Sequence, residues 1–300
     1  MSFRWSFRWS FRWSFRWSFR CFFALAATSL SLLSASTLVH AQSEPDVENP
    51  NRPLWEAGVA GTVFRGPAYP GASDNLTNAI ALPWIIYRGP VLRADGGTLG
   101  ARVAKTRDVE FDIGFAGALR ASSTDVSVRQ GMPDLGYLIE FGPRVRFNIA
   151  RPTSDSLVRL DLPLRGVFEV KSGVRHRGMA FEPRLAFDKR DIGAGWGLTS
   201  SASLHYGDRK YNEYLYSVPA TFATPVRNAY QAKSGLITPR VQLALSRKLT
   251  NDIRLFAFTR VDFAGSGANS DSPLHLKDSG TSFGLGLVWT LGRSSEKAAD

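Results

Sequence analysis

Between Tyr137 and Lys171 two consecutive segments alternate apolar and charged residues with a period of two. In the first, Tyr137, Ile139, Phe141, Val145, Phe147 and Ile149 alternate with Glu140, Arg144, Arg146 and Asn148. In the second, Val158, Leu160, Leu162, Leu164, Phe168 and Val170 alternate with Arg159, Asp161, Arg165, Glu169 and Lys171. Successive side chains of a strand point to opposite faces, so each segment carries one oily and one charged surface. One such strand fits any antiparallel sandwich. A chain full of them behind a secretory leader predicts an all-β, antiparallel transmembrane barrel of the bacterial outer membrane.

That leader is read from residues 1–41. Four Ser-Phe-Arg-Trp copies and a partial fifth place five arginines and no acid before Cys21. An apolar stretch runs from Cys21 to Leu33, and Val39-His40-Ala41 is a small-residue exit of the A-x-A kind. Cleavage is expected after Ala41. The apolar stretch falls short of the ~20 residues that a spanning helix needs. The repeat is consistent with an expanded tandem repeat in the coding DNA, or with a start codon placed too far upstream. Cys21 precedes the apolar run, so it is not a lipoprotein anchor. It is also the sole cysteine, which leaves the exported part without disulfide or thiolate chemistry.

Removing the leader lowers the formal charge from +11 to +6, since only its five arginines are lost. That balance suits an anionic envelope surface and makes no case for nucleic acid as a partner. No later stretch is apolar for 18 residues, which excludes a helical membrane protein. Residues 42–54, polar and proline-rich, read as a periplasmic lead-in to a single barrel over 55–292, followed by a polar tail, 293–300.

Strands are predicted over 55–64, 79–87, 89–95, 97–105, 109–119, 137–150, 156–171, 179–189, 196–206, 236–246, 253–263 and 281–291, with turn residues clustered between them. No helical pattern of useful length is apparent. The links 106–108, 151–155, 190–195 and 247–252 are short. The alternate links 120–136, 172–178, 207–235 and 264–280 are generally longer, as expected for periplasmic turns and outer loops. About twelve strands result if Asp95-Gly96-Gly97 is a hairpin turn, which Asp-Gly favours. Ten result if 55–64 packs elsewhere. A soluble sandwich shares the alternation. The heavy charged face (Glu110, Asp112, Glu182, Arg184, Asp188) and the aromatics near segment ends (Trp84, Tyr87, Trp196, Tyr206, Trp289) favour the barrel and its interfacial girdles.

Motifs between the strands add a resemblance. In order they are Trp55-Glu-Ala-Gly58, Pro67-Ala-Tyr-Pro-Gly-Ala-Ser73, Leu82-Pro83 with Tyr87-Arg88-Gly89, Gly131-Met-Pro-Asp-Leu135, Glu140-Phe-Gly-Pro143, Tyr211-Asn-Glu-Tyr-Leu-Tyr-Ser-Val218 and Asp271-Ser-Pro-Leu274. Over nearly the whole exported chain this series resembles the MipA/OmpV family of outer-membrane proteins. The resemblance implies an outer-membrane barrel. It also suggests a non-enzymatic scaffold that binds a lytic murein transglycosylase and links it to a bifunctional penicillin-binding protein. Other members are discussed as adhesins or osmotic-response porins, so a narrow channel is the competing expectation. One feature departs from many barrels: Arg293–Asp300 follows the last strand where a terminal aromatic would stand.

The residues themselves offer little chemistry. His176, His205 and His275 are scattered, no metal-ligand spacing exists, and no cofactor is expected. Ser203-Leu-His205 places a hydroxyl and a base on one strand face, the arrangement of a lipid hydrolase, but no carboxylate can be assigned to orient the histidine. A lumen-facing polar pair is the expected role. Glu140, Arg144, Arg146, Arg159, Asp161, Arg165 and Glu169 should face the lumen. There they either pair across strands and plug it, the arrangement we expect, or leave arginines lining an anion path. In the longest link, Tyr211, Tyr214, Tyr216 and Tyr230 beside basic residues form either a recognition surface or the packing of a large loop over the mouth.

Overall fold

The computed structural model describes residues 53–88, 92–95, 98–101, 104–105, 108–118, 123–171 and 173–297. The predicted leader and most of the lead-in lie outside them, as does the tail beyond Lys297.

Most of the described chain is antiparallel sheet. Its strands are β1 (Trp55–Pro67), β2 (Asn75–Arg88), β3 (Leu92–Asp95), β4 (Thr98–Ala101), β5 (Ala104–Lys105), β6 (Val109–Ala118) and β7 (Tyr137–Ala150). They continue with β8 (Ser156–Val170), β9 (Val174–Phe181), β10 (Arg184–Lys189), β11 (Trp196–Gly207), β12 (Gly235–Lys248), β13 (Ile253–Asp262) and β14 (Gly280–Arg293). Apart from β4 with β5 and β9 with β10, each pairs with its sequence neighbour, and β1 also pairs with β14, from Glu56 opposite Arg293 to Arg65 opposite Phe283. β4 and β5 together fill the place between β3 and β6, since β4 pairs with β3 and β5 with β6. β9 and β10 both pair with β8 and with β11, and share one place. The circuit therefore closes with twelve antiparallel strands. The ten-strand alternative fails because β1 is hydrogen-bonded on both sides. Asp95 pairs with Thr98, as the predicted hairpin requires.

Pleat alternation sorts the side chains. Ile139, Phe141, Phe147 and Ile149 on β7, Leu164 on β8, and Phe283, Leu285, Leu287, Trp289 and Leu291 on β14 are all exposed. Water would disfavour so much apolar area on one continuous sheet face; a bilayer accepts it. On the opposite face Glu140, Asp161, Arg165 and Glu169 are buried. At β13–β14 the interior is aromatic. Phe256 and Phe258, stacked with centroids 6.5 Å apart, occupy the inner side of the wall beside Gly286 and Gly284. A Cβ at either glycine would fall 2.4 Å from a ring carbon, so glycine makes the room these rings need.

Two expectations need correction. The 172–178 link is shorter than read, because β9 begins at Val174 and Gly173 turns the chain with φ +138°. The segment read as helix-free contains α1 (Arg209–Tyr216), an eight-residue helix capped by Asp208, whose carboxylate accepts from the Tyr211 N–H at 2.8 Å.

Among the described residues, the end of the barrel with the longer connections is covered. Links 68–74, 123–136, 208–234 and 263–279 fold over it around a buried cluster including Tyr69, Val126, Met132, Leu135, Leu215, Tyr216, Val218 and Leu274. These loops are tied by side chains reaching for backbone carbonyls, as polar groups must when loops are buried. The Arg227 guanidinium donates to Val128 O at 2.7 Å, Gln130 O at 3.0 Å and Phe222 O at 2.7 Å. Arg129 donates to Leu215 O at 3.0 Å. Ser272 Oγ donates to Tyr216 O at 2.7 Å.

Candidate functional site

The inward faces of β7 to β13 carry a connected set of ion pairs. Arg165 reaches Glu140 at 3.1 Å and Glu182 at 2.7 Å. Glu182 also meets Arg184 at 3.2 Å and Arg240 at 3.3 Å, and accepts from Ser203 Oγ at 3.0 Å. Arg240 continues to Asp262 at 2.6 Å, and Arg260 meets the same acid at 2.9 Å. The chain Glu140–Arg165–Glu182–Arg240–Asp262–Arg260 thus crosses six neighbouring places of the wall. Glu182 stands at its centre, facing inward by the same alternation that buries Ala180 and Ala186 on either side of it. Pro183, which lacks an N–H, separates β9 from β10.

A second set lies toward the short turns. Asp161 accepts from Arg146 Nε at 2.8 Å and Arg159 Nε at 3.3 Å. Arg159 also pairs with Asp188, which accepts from Thr199 Oγ1 at 2.6 Å. Arg146 lies 4.0 Å from Glu110. Arg144 stands opposite Asp112 across β6–β7 and opposite Pro163 across β7–β8.

The third set joins barrel to cover. Glu169 pairs with Arg177, and its Oε1 accepts from Tyr214 Oη at 3.0 Å and from Gly136 N–H at 3.2 Å. The Arg177 guanidinium lies over the Tyr214 ring, 4.5 Å from its centroid. Tyr211 Oη donates to Glu140 at 3.4 Å, so α1 docks on two acids named from the sequence. Tyr216 Oη donates to Pro70 O at 2.8 Å, and Tyr230 Oη to Asn269 Oδ1 at 3.2 Å. Tyr211 and Tyr216 are buried and present no outward surface; Tyr214 and Tyr230 are partly buried. Burial holds the phenols of Tyr211, Tyr214 and Tyr216 protonated well above the ordinary range, and Tyr69 is pushed up to about 12.

Ser203 and His205 share the inner face, with Leu204 exposed between them. They do not form a nucleophile–base pair. The Ser203 hydroxyl is committed to Glu182, and neither ring nitrogen of His205 has a hydrogen-bond partner among the described residues. The ring packs near Tyr211 with centroids 5.8 Å apart. No group of three potential metal-ligating side chains occurs among the described residues.

Sequence reading found Glu140, Arg146, Arg159, Asp161, Arg165 and Glu169, all of which enter these sets. It missed Arg240, Asp262 and Arg260. On β13 the signal was weak because Phe256 and Phe258 share the inner side with Arg260 and Asp262, so no clean alternation remains.

A closed twelve-strand barrel with an apolar outer band, an ion-paired interior and a folded cover at one end is an outer-membrane β-barrel protein. Residues 59–291 match the model of the family described as MltA-interacting protein MipA, and this chain belongs to that family. No curated protein matches it. Among solved structures it is similar to an outer membrane channel from Pseudomonas putida F1, with 11% identity, a TM-score of 0.44, and coverage of 83% of this chain and 100% of that one. It is similar to OmpT of Vibrio cholerae at 10% identity and a TM-score of 0.34, covering 79% of this chain and 98% of that one. Outer membrane phospholipase A from Escherichia coli is similar at 10% identity and a TM-score of 0.30, over 83% of this chain and 95% of that one.

Proposed function

We propose that this chain is a non-enzymatic, non-conducting barrel that anchors peptidoglycan-remodelling enzymes to the outer membrane. Its partners would be a lytic transglycosylase, the kind of partner in its family's description, and with it a bifunctional penicillin-binding protein. The observation that carries the reading is the ion-pair chain from Glu140 to Arg260, lying beneath a packed cover. A lumen spent on internal pairing suits a platform better than a conduit.

On this reading residues 1–41 direct export, the short turns face the periplasm, and the partner docks there. Pro53 bridges to Lys297 at that end, and the lead-in 42–54 is the proposed tether. The barrel purified from detergent-solubilised envelopes should retain a murein hydrolase, and deletion of 42–52 should release it. Purification without any hydrolase, together with steady current in a planar bilayer, would replace this reading with the channel.

A further inference from the structure

We propose that the cleft between the cover and the β8–β9 hairpin binds a small monocarboxylate with an apolar body. The cleft lies at the covered end, away from the short turns, and measures about 270 Å³. Pockets for drug-sized molecules begin near ~300 Å³, so this one suits a ligand built on a single ring or a short chain. Met132, Leu135, Tyr214 and Phe222 line it and supply apolar surface. Arg129, Lys171, Arg175 and Arg177 line it too, against the acids Asp134, Glu169 and Glu213.

The backbone brings the arginines of β9 there. In the β8–β9 ladder Arg175 stands opposite Glu169, whose side chain is buried on the inner face. The register shift between Val167 and Phe168 makes Arg177 an extra residue of β9, and such a bulge re-aims a side chain. Arg177 Nε donates to Glu169 Oε2 at 2.8 Å, and its guanidinium covers the Tyr214 ring.

The supply of hydrogen bonds decides the ligand. Glu169 is taken on one oxygen by Arg177 and on the other by Tyr214 and Gly136. Asp134 is engaged by Lys171 and Ser123, and Glu213 accepts from Gln231 at 3.4 Å. Arg175 is left exposed, without an ion pair or hydrogen bond among the described residues. The buried Arg129 has no partner for its Nε among them either. The cleft therefore holds unanswered donors, and a guanidinium fork matches the two oxygens of a carboxylate. Four cations against three acids leave one positive charge for a ligand to balance. A monoanion does so; a dianionic phosphate would bring its second charge up to three fixed carboxylates.

Isothermal titration calorimetry of the detergent-purified full chain tests this, with benzoate as the probe. Benzyl alcohol and inorganic phosphate serve as comparison ligands. The wild type should bind benzoate at least about tenfold more tightly than either, the scale of one charge-assisted hydrogen bond. Arg175→Ala should lose that preference while keeping heat-modifiable gel mobility, and Phe222→Ala should weaken benzoate and benzyl alcohol alike. Absence of saturable benzoate binding overturns the proposal. So do equal affinity for benzoate and benzyl alcohol, tighter binding of phosphate, and wild-type affinity in Arg175→Ala.

Discussion

Glu182 is held by three arginines and a serine, and its position makes a sharp residue-scale expectation. Replacing it with alanine leaves Arg165, Arg184 and Arg240 facing one another without their common acid. Breaking a buried pair by removing one partner costs about 3–5 kcal/mol, because the remaining charge is uncompensated. Glu182→Ala should therefore lower the urea midpoint of the detergent-folded barrel; an unchanged midpoint would mean the arginines find other partners. Tyr214→Phe is milder. It removes the hydroxyl that donates to Glu169 and accepts from Gly136, a loss of about 1 kcal/mol per bond, read as faster amide exchange at Gly136. Asp134 supplies a pH expectation. Its carboxylate accepts from the Ser123 N–H at 2.7 Å, and this bond, with help from the Ser123 hydroxyl and Lys171, holds its pKa below the usual 3.8. The contribution is complete above 3.8 and is lost as pH falls through the lower folded value. Protection of the Ser123 amide should stay flat between pH 7 and 5 and fall only in stronger acid.

At the level of elements, strands were legible and the helix was not. β7 and β8 announce themselves because each has a lipid side and a lumen side, and period-two alternation follows directly from that geometry. α1 buries Tyr211, Asn212, Leu215 and Tyr216, a helical spacing, and Asp208 caps it. Eight residues are too few for a window that needs about 11 to establish periodicity. The helix persists because its inner face docks on Glu140, Glu169 and the loop core. The same limit hid the cover as a unit: Tyr69, Val126, Leu215 and Leu274 come from four separate links, and nothing local in any of them reveals the other three. The cover has a core of its own, with Leu274 fully buried in it. Leu274→Ala should cost about 2–5 kcal/mol within the cover. Limited proteolysis should then cut links 123–136 and 208–234 while the barrel keeps its heat-modifiable mobility. Loss of that mobility would show that cover and wall fold as one.

For the whole molecule, the central expectation is electrical. With acids and bases paired across β7 to β13 beneath a packed cover, the purified protein should give no steady conductance in a planar bilayer. Removing the cover alone should leave that result unchanged, because the ion pairs remain. Sustained current from the intact protein would contradict the non-conducting reading. The pairing of β1 with β14 reaches further than geometry. It joins the first strand of the barrel to the last, extended by Leu54 N–H donating to Glu296 O at 2.8 Å. Among the described residues no contact in the wall spans more of the sequence, so this seam carries the greatest loop-closure cost and belongs among the late events of assembly. Until it forms, the chain has two long, oily strand edges open to any other strand they meet. The vulnerable moment in this protein's life is therefore its transit across the periplasm, when its two ends have not yet found each other.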